Sequence, residues 1–256
     1  MASSTGASRA AARLAGLGLG LALAAATVGL ASGIGHRLGW WHYATGIPML
    51  RWAFWIALAA IVPAALALVV ARAGRVVPMA LLGLAVAAVT AYLPWSHWRL
   101  ARSVPPIHDI TTDTEHPPAF VAAAALRKPG DHTPAYAGPA AAEQQRQAYP
   151  DIAPLIVKAS KEDAFDAARS VLAAMGLEII DADPSEGRLE ATDTSLLFGF
   201  KDDLVVRVTG TAEGTRIDAR SQSRVGRSDL GVNAKRVRTF LRELASRLEA
   251  ERRAPG

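Results

Sequence analysis

The sequence predicts three N-terminal transmembrane helices followed by an α+β domain of order β-α-β-β-β-β-α, a mainly antiparallel sheet with helices on one face. Three observations carry this. The 256 residues are 51% apolar with a mean hydropathy of +0.18, more apolar than an ordinary soluble chain. Residues 1–100 hold seven arginines, no lysine and no acid, so the formal charge of +5 arises there. The remainder carries 21 basic against 23 acidic residues. Past residue 154, apolar positions alternate or recur at helical spacing, and turn residues separate the runs.

After an N-terminal tail, residues 1–13, a membrane region over 14–100 holds three charge-free runs. They are residues 14–34, 52–70 and 76–93. The first would extend about 31 Å as a helix at roughly 1.5 Å per residue. Trp40, Trp41, Tyr43, Trp52, Tyr92, Trp95 and Trp98 mark the span ends, as interfacial aromatics do. Pro63 interrupts the second run, and the third ends at Pro94. Gly16 and Gly20, then Gly29 and Gly33, are spaced four apart, which fits either close helix approach or the chance pairing of an Ala/Gly-rich span. With no ionisable group inside them, the spans read as an anchor and not as an ion path.

Placing Arg9, Arg13, Arg72 and Arg75 on the cytoplasmic side sets four positive charges against Arg37 and Arg51. Counting Arg99 and Arg102 levels that score, but a long following domain translocates largely regardless of its charge. The expectation is a multi-pass protein of the cell inner membrane with a periplasmic C-terminal domain. Cleavage of the first span near Ala31-Ser32-Gly33 would leave the same final orientation. The lipid bilayer is thus an expected partner. Nucleic acid is not, because the arginines flank apolar runs instead of clustering on a polar face. The absence of cysteine excludes disulfides, thiol nucleophiles and thiolate metal sites.

Residues 101–153 are rich in proline, which disfavours long helices and central strands. The stretch reads as a tether or as an extended strip laid over the domain. Val104, Ile107, Ile110, Phe120 and Tyr149 favour the strip, and a short helix fits around 140–148. The domain then occupies residues 154–256. Leu155–Lys158 reads as a strand. Ser160 caps a helix carrying Phe165, Ala168, Leu172 and Met175 on one face, and Gly176 stops it. Strands follow at 177–181, 188–193, 204–209 and 215–225. A last helix runs from about Ser228 to Arg252, with Val237, Phe240, Leu244 and Leu248 in its apolar stripe.

Three polar groups stand out. Alternation sets Leu204, Val206, Ile217, Ala219, Leu189 and Ala191 on one sheet face. The other gathers Glu190, Asp203, Arg207, Asp218 and Arg220, with Asp202 nearby. That is either a solvated face of ion pairs or a carboxylate–guanidinium site under the strip. The second group, Arg220, Arg224, Arg227, Ser228, Lys235 and Arg236, surrounds the passage from a strand into a helix N-terminus. There it could hold an anion, unless Asp229 already caps that terminus. The third, His108, Asp109, Asp113 and His116, has metal-ligand chemistry without a recognised metal spacing, so no metal and no cofactor are expected.

Several motifs resemble, in order, those of the domain-of-unknown-function 1499 family of bacteria and plastids. They are Pro106–Asp113 with Pro117-Pro118-Ala119-Phe120, Gln147–Ile152, Glu190-Ala191-Thr192, Phe198–Asp203, Val206-Arg207-Val208, and Asp218–Ser221 through Asn233–Arg236. The resemblance covers about residues 104–245, leaves the spans outside, and implies that the proline-rich strip belongs to the folded domain. It supplies no catalytic residue. The expected function is a non-catalytic envelope protein binding an anionic lipid, a glycan or an envelope protein. A hydrolase-like enzyme using Asp202, Asp203 or Asp218 with Arg220 is the alternative.

Overall fold

A computed structural model describes residues 2–71 and 74–253, so Arg72 lies outside the described residues. The chain forms two compact units. Residues up to Leu100, with Leu196–Gly199, make one, and Ala101–Ser195 with the chain from Phe200 onward makes the other.

The first unit contains α1 (Ala2–Arg37), α2 (Tyr43–Val70) and α3 (Val76–Ala101), each long and apolar enough to cross a membrane. All three outrun their apolar cores. His42 caps α2, its Nδ1 accepting the Ala44 N–H at 3.3 Å, so that helix starts well before Trp52. Helix α3 continues through Pro94, which removes one backbone donor without stopping the helix. Small residues face inward: Ala15, Ala22 and Ala25 of α1, Ala53, Ala57, Ala60, Ala64 and Ala67 of α2, and Ala80 and Ala87 of α3. Large ones such as Leu23, Leu30, Val62, Leu66 and Val89 face outward. Lipid solvates leucine as well as a helix neighbour does, so close contact between small residues decides the packing. A Cβ on Gly18 would lie 2.7 Å from that of Ala64, and one on Gly83 would lie 3.1 Å from the Leu19 nitrogen. Gly16 and Gly20 are exposed with nothing within 4 Å. Of the four-spaced glycines, Gly29 faces α2, where an added Cβ would lie 3.6 Å from that of Ala53, whereas Gly16 and Gly20 look away from it.

The second unit contains, in chain order, β1 (Asp109–Thr111), α4 (Ala122–Ala125), α5 (Pro139–Ala148), β2 (Leu155–Val157), α6 (Lys161–Ala174), β3 (Glu178–Asp183), β4 (Arg188–Thr194), β5 (Lys201–Thr211), β6 (Gly214–Ser223) and α7 (Val232–Arg253). The sheet is antiparallel in the order β1-β6-β5-β4-β3, and β2 pairs with the other end of β6. Strands β1 and β2 therefore share one sheet edge. Strand β1 comes from the proline-rich segment and adds to the five strands read from sequence.

Leu189, Ala191, Leu204, Val206, Ile217 and Ala219 form the core with Phe165 and Leu172 of α6 and Val237, Phe240 and Leu244 of α7. Ser160 caps α6, its Oγ accepting the Asp163 N–H at 3.0 Å. Helix α7 starts at Val232 and not at Ser228, because Leu230 (φ 57°) and Gly231 (φ 78°) turn the chain first. Asp229 closes that turn, its Oδ1 and Oδ2 accepting the Gly231 and Asn233 N–H groups, each at 2.8 Å. The four-residue α4 lies on the opposite sheet face, where Phe120 and Ala123 pack on Val205.

Candidate functional site

Register places the polar residues of that opposite face in rows. Thr192, Asp203, Gln222 and Asp109 lie side by side across four strands. Glu190, Val205, Arg220 and Thr111 form the next row, and Arg188, Arg207 and Asp218 the third. The proline-rich segment covers these rows. Glu190, Asp203 and Asp218 are fully buried, and Arg220 is 2% exposed.

Buried charges need partners, and each of these has one. Arg220 meets Asp109 two-pronged, Nε to Oδ1 at 2.9 Å and Nη2 to Oδ2 at 2.8 Å. Its other N–H groups reach the carbonyls of Pro118 and Pro134 at 3.1 and 3.0 Å. The Phe120 and Tyr136 rings lie against the same guanidinium, their centroids 4.8 and 5.5 Å away. Asp203 accepts from Arg224 at 2.7 and 2.9 Å, pairs with Arg127 at 2.9 Å, and takes the Thr192 hydroxyl at 2.8 Å. Asp218 holds Arg207 and Arg216 at 2.9 and 3.0 Å, and both also reach Asp113. Burial pushes the Asp113 carboxyl up, but the His116 and Glu115 N–H groups and the two arginines outweigh it, so its pKa lies below the ordinary value.

Glu190 has a different task. Its Oε1 accepts the Val121 and Ala122 N–H groups at 2.7 and 3.1 Å, and its Oε2 takes that of Ala123 at 2.8 Å. A carboxylate from the sheet thus caps α4, a short helix without a side-chain cap of its own.

The anion candidates separate. Arg220 and Arg224 are committed as described. Arg236 binds Asp193 and Asp202 at 2.6 and 2.8 Å. Burial pulls the Arg236 pKa down, but these two carboxylates raise it above its ordinary value. The Ser228 Oγ accepts the Leu230 N–H at 3.2 Å, while Arg227 and Lys235 are exposed. Asp229 rather than a ligand serves the α7 terminus, and its own carboxyl is raised by burial.

Among the metal candidates, Asp109 and Asp113 face guanidinium groups, His116 is exposed, and His108 stacks on His132. Among the described residues, no group of three His, Cys, Asp or Glu side chains could hold an ion. Sequence reasoning missed Arg127, His132, Tyr136 and Asp193. The first three sit in a segment without periodicity and gain their meaning only from contacts across long chain separations.

Beside Arg220, an open cleft of about 390 Å³ is lined by Pro117, Ala119, Phe120, Pro134 and Tyr136. Among the described residues no carboxylate lines it. Burial and the nearby Asp109 push the Tyr136 hydroxyl up to about 12.

The unit defined by this sheet, strip and helix matches a family model. The family is described as a protein of unknown function, DUF1499, and its model covers residues 109–244, more than half of the chain. This chain belongs to the DUF1499 family. The match opens on the first residue of β1 and closes inside α7, so the DUF1499 domain includes the proline-rich strip from Asp109 onward and leaves the three apolar helices outside. No curated protein matches the chain.

Proposed function

We propose that the chain is a membrane-anchored, non-catalytic binding or assembly protein of the cell envelope, set in the cell inner membrane with its DUF1499 domain in the periplasm. The observation that carries this reading is the mutual pairing of the buried charges. A general acid or base must reach a proton on its substrate. Asp109, Asp203, Asp218 and Glu190 instead face guanidinium groups or backbone N–H groups beneath the strip. The cleft beside them offers proline and aromatic faces, a surface suited to contact rather than to proton transfer. Its partner is an anionic lipid, a glycan or another envelope protein. The arginine distribution supports the orientation, since Arg9, Arg13 and Arg75 then lie with Arg72 on the cytoplasmic side.

Two measurements test it. A C-terminal alkaline phosphatase fusion should be active and a fluorescent-protein fusion dark, and the reverse overturns the compartment. A photoreactive residue at Ala135, exposed on the cleft rim, should yield a discrete lipid, glycan or protein adduct in intact cells. An Ala135 variant that remains folded and gives no adduct overturns the binding role.

A further inference from the structure

The loop between β4 and β5 reads Ser195-Leu196-Leu197-Phe198-Gly199-Phe200, an apolar run where a hairpin turn is ordinarily polar. Leu196 at its tip is 88% exposed. Water has no use for a leucine presented this way, whereas a lipid surface does.

Residues 196–199 cluster with the helical unit, and their contacts within it locate them. Arg37 donates to the Leu196 carbonyl. Leu197 lies against Gly33, and the Phe198 ring is 6.1 Å from that of His36. Gly33, His36 and Arg37 form the C-terminal end of α1. The exposed Trp40 and the half-buried Trp41 follow at once, the aromatic pair expected at a membrane–water boundary. The loop is therefore held at the end of α1, the same end that carries the exposed Ile34 and Leu38.

We propose that the β4–β5 loop is a second membrane contact: Leu196, with Leu197 packed beside it on Gly33, inserts at the headgroup–acyl boundary next to the end of α1. The proposal rests on the membrane-anchored reading. A three-span anchor supplies attachment already, so the loop adds a second apolar contact at the end of α1.

The chain has no cysteine, so single cysteines introduced for labelling report alone. Full-length Leu196→Cys and Leu30→Cys proteins, each carrying an environment-sensitive fluorophore, would be reconstituted in phosphatidylcholine–phosphatidylglycerol vesicles with and without a lipid-borne quencher. The Leu30 label, on the outward face of α1, should be quenched. The Leu196 label should be blue-shifted relative to the same fluorophore in buffer and lose most of its emission to the quencher. A Leu196 label that stays unshifted and unquenched while Leu30 is quenched overturns the loop contact alone. An unquenched Leu30 label overturns the anchor and the loop contact together.

Discussion

The imidazoles of His108 and His132 stack face to face, their centroids 3.9 Å apart and their planes at 16°. His132 Nε2 lies 2.8 Å from the Gly226 carbonyl, and its backbone N–H donates to the Arg224 carbonyl at 2.7 Å. His108 leads into β1, and its own carbonyl accepts the Ser223 N–H at 2.9 Å. Two histidines from distant parts of the strip thus fasten it to the end of β6.

Burial of His108 in that stack should make the domain acid-sensitive. Burial, then the neighbouring His132 ring, holds the His108 pKa below the ordinary 6.5, and the opposing pull of Asp109 does not restore it. The unfolded chain therefore binds this proton more readily than the folded one. The stabilisation is complete above the unfolded value and is lost as pH falls through the depressed folded value. Thermal unfolding of the full-length protein should shift to lower temperature between pH 7.5 and 5. His108→Phe, which keeps a ring to stack but cannot titrate, should reduce that shift. An unchanged pH profile in the variant rejects the assignment.

Glu190→Ala should loosen α4 without dissolving the sheet. It leaves the Val121, Ala122 and Ala123 N–H groups without their acceptor. The expected loss is about 2–4 kcal/mol, since a buried donor without a partner costs about 1–3 kcal/mol and Val121 is partly open to water. Chemical denaturation reads the loss, and limited proteolysis should cut near residues 121–126 first. Cleavage that starts elsewhere would count against the capping role.

Arg224 and Arg227 lie three residues apart and should behave as opposites. Arg224→Ala strips Asp203 of its two-pronged partner in a buried site and should cost about 3 kcal/mol, with Arg127 still at hand to limit the damage. Arg227 is exposed, and Arg227→Ala should stay within about 0.5 kcal/mol. Equal losses in the two variants would show that this division between frame and surface is wrong.

Both assignments show what sequence alone can and cannot carry. The spans were legible because charge is excluded from them, and β4 to β6 because Leu204, Val206 and Ile217 alternate with polar neighbours. The same alternation gathered Glu190, Asp203, Asp218 and Arg220 on one face. It left open whether water or the strip covers that face, because cover is a long-range fact and Pro117, Phe120 and Ala123 have no periodicity to read. Strand β1 is not legible for a related reason: three residues cannot show a period, and their pairing with Arg220, Ser221 and Gln222 crosses most of the domain. The start of α7 was misplaced because Leu230 at positive φ is invisible to helical spacing.

The glycines of α1 give a last contrast, since two of the same type, two residues apart, should differ in what they tolerate. A Cβ at Gly18 would press on the Ala64 backbone nitrogen at 2.8 Å and on its Cβ at 2.7 Å. Backbone cannot swing aside as a long side chain can, so Gly18→Val must part α1 from α2. A Cβ on Gly16 would meet nothing within 4 Å, and Gly16→Val adds only an outward isopropyl group that lipid solvates. Thermal aggregation of the detergent-solubilised protein should occur at lower temperature for Gly18→Val and stay near the parent for Gly16→Val. Should Gly16→Val prove the more damaging, the face carrying Gly16 and Gly20 is the packed one and the α1–α2 contact through Gly18 is mistaken.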